Sequence, residues 1–466
     1  MTSPLDMHAS RPSPATHRRG AVVAAVAAVT AIVLTACAAQ PAPEGTSAAS
    51  AATPAEIPAT PVGEQARWVL DEINGDEQTP VAEIEARFDG AALAQLPPAD
   101  LQEVFAQMQA AAPWTPVAYD GTDSEARVTI ESAQVTYDMS LSVTADEHID
   151  MLFFGQPQPE RTPAASWDEL DEQITSAPFV AGLQVREVGG PVLHESGDVS
   201  AGPIGSIVKL WVLGAVVDAV AAGSISWDDR LTIDAQVRSL PSGELQDRPD
   251  GATVTVREAA EKMIAISDNT ATDALIRSVG RDAVEAAMVA TGHSDPGLNT
   301  PLLATREMFW LLFGDDDLRT LWAGASGDAA ARRALLERIP AGVPDVSRFA
   351  SAQPGWREGI DWFASPDDLV AAHDALQERA RTEAGAPVRD ILSANPGVQF
   401  GDGWDYVAFK GGSSVGVLAG SWYLEREDGP PIVITVLARA DDAASVAQPS
   451  VAFGWAQDAA ALVAAP

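Results

Sequence analysis

The sequence predicts a two-part protein: a small α+β unit followed by a larger α/β domain in which a mixed sheet is combined with a helical region. Three observations carry this. Helical spacing of apolar residues between 64 and 111 gives way to two-residue alternation and β-branched residues between 127 and 154, the order expected of helices packed on one face of a sheet. Pro157, Pro159 and Pro163 then mark a boundary, because proline punctuates regular structure. Beyond it, strand-like segments occur only near 179–194 and 406–438, with a long and mostly helical stretch between them. Strands contributed from both ends of one region imply that those ends meet in one sheet.

Residues 1–36 read as an export signal. The first twenty are mostly polar, with Arg11, Arg18 and Arg19 as their basic residues, and Ala21 to Leu34 is apolar apart from Thr30. Such a run has the length of a signal-peptide apolar segment and is short for a membrane span. It ends in Leu34-Thr35-Ala36-Cys37, which resembles a bacterial lipoprotein signal; the resemblance implies a lipid on Cys37 and cleavage just before it. An uncleaved anchor, or an ordinary secretory signal that leaves a free thiol, are the alternatives. Cys37 is the single cysteine of the 466 residues, which excludes an internal disulfide, a zinc ribbon or an iron–sulfur site. Cleavage would leave 26 basic and 65 acidic residues, a net charge of −39. Anionic lipid would repel that body, so acyl chains alone would dock it to a membrane. Residues 37–62 are rich in Ala, Pro, Ser, Thr and Glu with almost no large apolar side chain, a composition suited to a tether.

The small unit is expected over 63–158. Helices are predicted at Glu64–Asn74, Val81–Phe88 and Leu101–Ala111, and strands at Arg127–Ile130, Val135–Val143 and Ile149–Phe154. It has one histidine, His148, and no cysteine, so binding or scaffolding fits it better than catalysis. The larger domain is expected over 164–466. It opens with a helix at Trp167–Thr175 and strands at Phe179–Val188 and Val192–His194, and its helical middle runs to Leu392. Strands follow at Tyr406–Lys410, Val415–Leu424 and Ile432–Ala438, and a helix at Val451–Ala464 closes it.

The formal charge of −37 argues against nucleic acid as a partner, since phosphates would be repelled and no basic stripe opposes the trend. Only three residues are lysine: Lys209, Lys262 and Lys410. Two of them stand in short motifs. Gly205-Ser206-Ile207-Val208-Lys209 heads an apolar helix, Leu210–Ala222, and residues three apart on a helix share a side. A serine hydroxyl is a weak nucleophile until a base takes its proton, and a buried lysine near other charges can lose its own proton and serve. Backbone N–H groups at a helix start suit a developing oxyanion. Ser267-Asp268-Asn269 lies between predicted helices Val256–Ile266 and Ala271–Val279; alone it is a helix cap. Lys410-Gly411-Gly412-Ser413 ends a predicted strand; alone it is a β-turn, though its glycines also permit close approach of backbone to a ligand.

Together and in this order, the three motifs resemble the penicillin-recognising serine enzymes, whose trio is Ser-x-x-Lys, Ser-Asp-Asn and Lys-Thr-Gly. Ser206 and Ser267 are 61 residues apart, close to the class A β-lactamase spacing, whereas Ser267 and Lys410 are 143 apart, a longer interval than in compact members. The resemblance implies a β-lactamase/transpeptidase-like fold, no cofactor and no metal. It implies Ser206 as the acylated nucleophile and Lys209 as its base or orienting cation. Ser267 would relay a proton to the leaving group, and Asn269 would hold substrate and Lys209. Lys410 would attract a substrate carboxylate, and the N–H groups of Ser206 and Ser413 would bind the oxyanion. Gly412 keeps the third position of Lys-Thr-Gly; Gly411 replaces the threonine, which bears on substrate preference. The three histidines His194, His293 and His373 have no metal-ligand spacing,.

Class A enzymes deacylate with a glutamate in a Glu-x-x-Leu-Asn pattern. The nearest stretch here is Asp295-Pro296-Gly297-Leu298-Asn299, whose acid is one methylene shorter; a misplacement of about 1 Å can cost about a hundredfold in rate. Asp295 is therefore a candidate deacylation base, with a plain Ser-Asp-Pro-Gly turn as the alternative. Trp356, Trp362 and Phe363 are aromatics for the site's roof or for the core. A small α+β unit ahead of such a domain is similar to the serine hydrolase of clavulanic-acid gene clusters and its exported actinobacterial relatives. There the front unit resembles the steroid-isomerase fold without its chemistry.

Three functions follow as expectations. The first is an exported, lipid-anchored serine hydrolase acting on β-lactam or related amide and ester substrates. The second is a slowly deacylating penicillin-binding protein or sensor. The third is a non-catalytic envelope binding protein working through its front unit.

Overall fold

A computed structural model describes residues 54–133, 135–155, 157, 161–314, 316–345, 352–401, 403–442 and 448–464. The signal, Cys37 and most of the tether lie outside the described residues. The described residues fall into two units, one within Ala36–Leu170 and Ala447–Asp458, the other within Asp171–Val446 and Ala459–Pro466.

The first unit begins with α1 (Pro61–Asn74), α2 (Val81–Arg87), α3 (Gly90–Gln95) and α4 (Pro98–Gln109). Thr60 caps α1, its Oγ1 accepting from Gly63 N–H at 3.1 Å. Strands β1 (Thr115–Gly121), β2 (Glu125–Glu131), β3 (Thr136–Val143) and β4 (Ile149–Gly155) form an antiparallel meander in that order. The core is the α1 stripe Val62, Ala66, Val69 and Ile73 against Val128, Ile130, Met139 and Leu141. The helix-then-strand order is the expected one. α3 and β1 go beyond it, because α3 is a single short turn and β1 lacks a buried alternate face, with all of its residues exposed or partly so.

The second unit contains α5 (Trp167–Thr175) from Asp171 on, then β5 (Val180–Glu187), β6 (Val192–Gly197), β7 (Gly202–Pro203), α6 (Lys209–Ala221), β8 (Arg230–Thr232) and β9 (Thr253–Thr255). Next come α7 (Val256–Ala265), α8 (Asn269–Val279), α9 (Arg281–Ala290), α10 (Thr305–Phe309), α11 (Asp316–Gly324) and α12 (Ala329–Leu336). β10 (Phe363–Ala364), α13 (Pro366–Ala380), α14 (Val388–Ser393), β11 (Tyr406–Ser414), β12 (Val417–Glu425), β13 (Ile432–Arg439) and, from Ala459 on, α15 (Pro449–Ala464) complete the order. The sheet runs β11-β12-β13-β5-β6, so both ends of the region do meet in it, at the β13–β5 ladder.

Every ladder in that sheet is antiparallel, where a mixed sheet was expected. Within β5–β6 and β11–β12–β13 the reason is connection length: these strands follow one another through short turns, and a parallel pair needs a crossover; the β13–β5 ladder, joined through the helical middle, is antiparallel as well. The helical middle also carries two short ribbons, β8–β9 and β7–β10, too brief to show a period. Helix α6 is buried nearly all round through Leu210, Trp211, Val212 and Leu213, as a helix apolar on every face must be. No helix among the described residues is long and apolar enough to cross a membrane.

Candidate active site

The site forms where the start of α6 meets β11. Residues Gly205–Val208 form a 3-10 turn, and α6 proper starts at Lys209. Ser206 therefore sits on a tighter turn than the α-helix expected of it. The backbone there requires glycine twice. Gly205 has φ +50°, and a Cβ on it would lie 2.7 Å from Ser413 N. A Cβ on Gly412 would lie 1.9 Å from Ile204 O and 2.8 Å from Ser206 N. The missing side chains let the serine turn press directly on β11, and the backbone nitrogens of Ser206 and Ser413 line the same seam.

Lys410 to Ser413 lie inside β11 and pair with Ser421, Gly420, Ala419 and Leu418 of β12. The strand, expected to stop at Lys410, thus runs through the motif to Ser414, because the ladder with β12 continues as far as Val417. Gly411, in place of threonine, leaves room for Phe409, whose ring tip is 2.8 Å from where a Cβ would be.

Ser267 has φ +57°, a left-handed conformation costing a non-glycine residue about 1–2 kcal/mol. Its neighbours hold it there. The buried Asp268 carboxylate caps α8 through Ala271 N–H at 2.7 Å and accepts from Glu244 N–H at 2.8 Å and Leu245 N–H at 2.9 Å. Asn269 N–H donates to Ser242 O at 3.0 Å. Ser242 Oγ in turn donates to Ser267 O at 2.8 Å. Lys262, the third lysine, pairs with Glu244 on this same loop. The 240–245 loop was not singled out from the sequence; it carries no periodic signal.

This turn presents Ser267 to both motif lysines. Lys209 Nζ lies 3.0 Å from Ser267 Oγ and donates to Ser267 O at 2.7 Å and Asn269 Oδ1 at 2.8 Å. Lys410 Nζ lies 3.0 Å from the same Ser267 Oγ and donates to Gly411 O at 2.9 Å. Both amines are buried. Burial, then repulsion from Lys410, holds Lys209 well below the ordinary lysine range, against the pull of Asp268 and Asp273. Burial brings Lys410 down to about 7. Asn269 also donates to Leu240 O at 3.0 Å, which fixes its amide. The half-buried Ser206 hydroxyl has no hydrogen-bond partner among the described residues.

Asp295 is placed differently. It is exposed and caps the 3-10 turn Pro296–Asn299, its Oδ1 accepting from Gly297 N–H at 3.2 Å. Asn299 is buried and exchanges hydrogen bonds with the Phe363 backbone at 2.8 Å each way. Trp362 is core, and its indole donates to Leu303 O, while Trp356 donates to Ala440 O. His194 pairs with Asp171, His293 contacts Phe363 O, and His373 is buried against Ser421.

Two buried aspartates flank the site without having been singled out. Asp273 accepts from Thr305 N–H at 2.7 Å and Arg306 N–H at 2.9 Å; burial pushes it up to about 6 against these bonds. Asp361 accepts from Gly205 N–H at 2.9 Å, Trp362 N–H at 2.7 Å and the Ser414 hydroxyl; burial pushes it to about 6 as well. One signal was available: an acid inside the apolar run Ile360-Asp-Trp-Phe-Ala364 must be buried and therefore partnered.

The comparisons with known proteins follow this layout. The family described as ORF 12 gene product N-terminal matches residues 57–149. No curated protein matches the chain. Among solved structures, a β-lactamase from Sphaerobacter thermophilus is 22% identical over 65% of this chain and 99% of its own, with a TM-score of 0.46. A β-lactamase from Chitinophaga pinensis is 18% identical over 64% and 98%, with a TM-score of 0.44. The protein PBP-A is 18% identical over 66% and 98%, with a TM-score of 0.45. The description "Beta-lactamase enzyme family" matches residues 168–443. That match takes in Ser206, Lys209, Ser267, Asn269 and Lys410, and the chain belongs to the β-lactamase enzyme family.

Proposed function

We propose that this protein is an exported serine hydrolase, held to the cell membrane by lipid on Cys37, that opens β-lactam or related amide and ester bonds through an acyl-enzyme on Ser206. The observation that carries the chemistry is Ser267 Oγ between Lys209 Nζ and Lys410 Nζ, 3.0 Å from each. Lys209, its proton affinity lowered by burial, takes the Ser206 proton as Oγ attacks the acyl carbon. Ser267 then passes a proton to the departing nitrogen or oxygen, and Lys410 meets a substrate carboxylate. The anchor rests on the sequence around Cys37.

A second reading has its own support: the acyl-enzyme persists and the protein works as a penicillin-binding protein or sensor. Among the described residues Lys209 Nζ is held by Ser267 and Asn269 rather than by a carboxylate, and Asp295 is exposed and occupied with Gly297. Incubation with a fluorescent penicillin, followed by intact mass over time, separates the two. A transient adduct on Ser206 supports turnover and a lasting one supports the sensor. Labelling of Ser206→Ala equal to that of the parent defeats both. For the anchor, Cys37→Ser should move the protein from the membrane to the soluble fraction, and an unchanged distribution defeats that part.

A further inference from the structure

Asp361 ties together two stretches of chain that meet at the site from more than 200 positions apart. On one side is the serine turn: Gly205 N–H donates to Asp361 Oδ1 at 2.9 Å, and the next peptide carries Ser206 N–H. On the other is the end of β11: the Ser414 hydroxyl donates to Asp361 Oδ2, and the preceding residue supplies Ser413 N–H. We propose that Asp361 is a positioning residue that sets the spacing of the Ser206 and Ser413 N–H groups by clamping both backbone walls with one buried carboxyl group. The proposal rests on the acyl-enzyme reading above.

The clamp is itself well anchored. Trp362 N–H donates to Asp361 Oδ1 at 2.7 Å, and Ile204 N–H donates to Trp362 O at 2.8 Å. The β7–β10 ladder joins Gly202–Pro203 to Phe363–Ala364 on either side of these residues. Asp361 thus stands on a short ribbon that leads directly into the nucleophile turn. When Ser206 Oγ attacks, its bond to the acyl carbon forms as a carbonyl electron pair moves onto oxygen. Two N–H donors must then stand about 2.7–3.1 Å from that oxygen. A shift of about 1 Å in either wall can cost about a hundredfold. A bare carboxylate near a developing oxyanion would be adverse. Here its oxygens are held by the Gly205 and Trp362 N–H groups and the Ser414 hydroxyl and not by the Ser206 or Ser413 N–H, so the role assigned to it is one of geometry.

That distinction gives the test. Asparagine has the same shape: its Oδ1 can accept from Gly205 and Trp362, and its amide can donate to Ser414 Oγ. Alanine leaves both walls untied. In the full chain, Asp361→Ala should lower the limiting rate of acylation by a fluorescent penicillin by about tenfold or more. The half-saturating concentration should change by less than about threefold, and Asp361→Asn should stay within about threefold of the parent in rate. Hydrogen exchange should rise in the segments holding Gly205 and Ser414 for the alanine variant and not for asparagine. A folded alanine variant that acylates at the parental rate, or exchanges like the parent in both segments, overturns the proposal. If Asp361→Ala does not fold, Ser414→Ala decides: faster exchange around Ser414 with slower acylation supports the clamp, and parental values in both overturn it. A parent that never acylates at Ser206 would defeat the acyl-enzyme reading, while the exchange comparison still decides whether Asp361 holds the two walls.

Discussion

Lys209 and Lys410 meet at a single hydroxyl, each Nζ lying 3.0 Å from Ser267 Oγ. Two ammonium groups this close repel, and burial disfavours charge on either. The two are not equivalent. Lys209 is held well below the ordinary lysine range by burial and then by repulsion from Lys410, whereas burial alone brings Lys410 to about 7. In the proposed reaction Lys209 is the amine that takes a proton and Lys410 the one that meets an anion.

The first prediction concerns that division. Arginine keeps its proton under all ordinary conditions, so Lys209→Arg removes the base and keeps the charge. Acylation should slow by about 10²–10⁴-fold, the usual range for a positioned base. Stopped-quench labelling with a fluorescent penicillin measures it, and a loss below about fivefold would contradict the role.

Lys410 should show itself in the pH dependence of binding. Its cation is present below about pH 7 and lost above it. Half-saturation by an anionic penicillin should therefore weaken as pH rises, by about fivefold between pH 7 and pH 8 for one titrating group. Lys410→Arg should flatten that profile, since its charge does not titrate; an equally steep profile would reassign the dependence.

Asp295→Asn tests the deacylation step. The carboxylate is exposed and bonded to Gly297 N–H, and asparagine can make the same bond. The lifetime of the Ser206 adduct should stay within about twofold of the parent, the outcome for a side chain that serves only as this cap, whereas loss of a positioned base would cost about 10²–10⁴. A lifetime extended tenfold or more would restore Asp295 as the base that activates water.

His373 offers a prediction about stability. It is buried on α13, with Nε2 3.0 Å from Ser421 Oγ, and burial lowers it from 6.5 to about 3. Unfolding frees it to take a proton at its ordinary value. The folded state is thus favoured above pH 6.5, and this advantage is lost as pH falls from 6.5 toward 3, by about 1.4 kcal/mol per pH unit. Urea unfolding at pH 6.5 and pH 4.5 should show the parent losing about 2 kcal/mol more than His373→Leu over that interval. Equal losses in the two proteins would mean that His373 does not carry the effect.

Much of this candidate site was legible beforehand because the proposed chemistry needs particular residue types at short spacings. Lysine is so scarce that Lys209 and Lys410 stand out, and Ser267-Asp268-Asn269 is a cap whose Asp268 does cap α8. The long elements were legible for a related reason. The apolar run of α6 and the alternation in β3 reflect burial along one element, and burial leaves a period in the sequence. Elements without such a period, α3, β1 and the two-residue strands β7 and β10, were not.

The sequence by itself determined which residues can do the chemistry: the serine, the two amines and the amide, with glycines where backbone must pass close. Only the tertiary structure decided how they are held. The left-handed turn at Ser267 depends on Asp268 and on a loop 23 to 25 residues away in the chain. Asp361 reaches Gly205 across 156 residues and Ser414 across 53. Such bonds satisfy buried polar groups wherever the fold brings a partner, and no local spacing records them. The serine turn is 3-10 and not α for the same reason: its geometry answers to β11, which presses on it where Gly412 meets Ile204 and Gly205 meets Ser413, and that is a property of packing and not of the residues around Ser206.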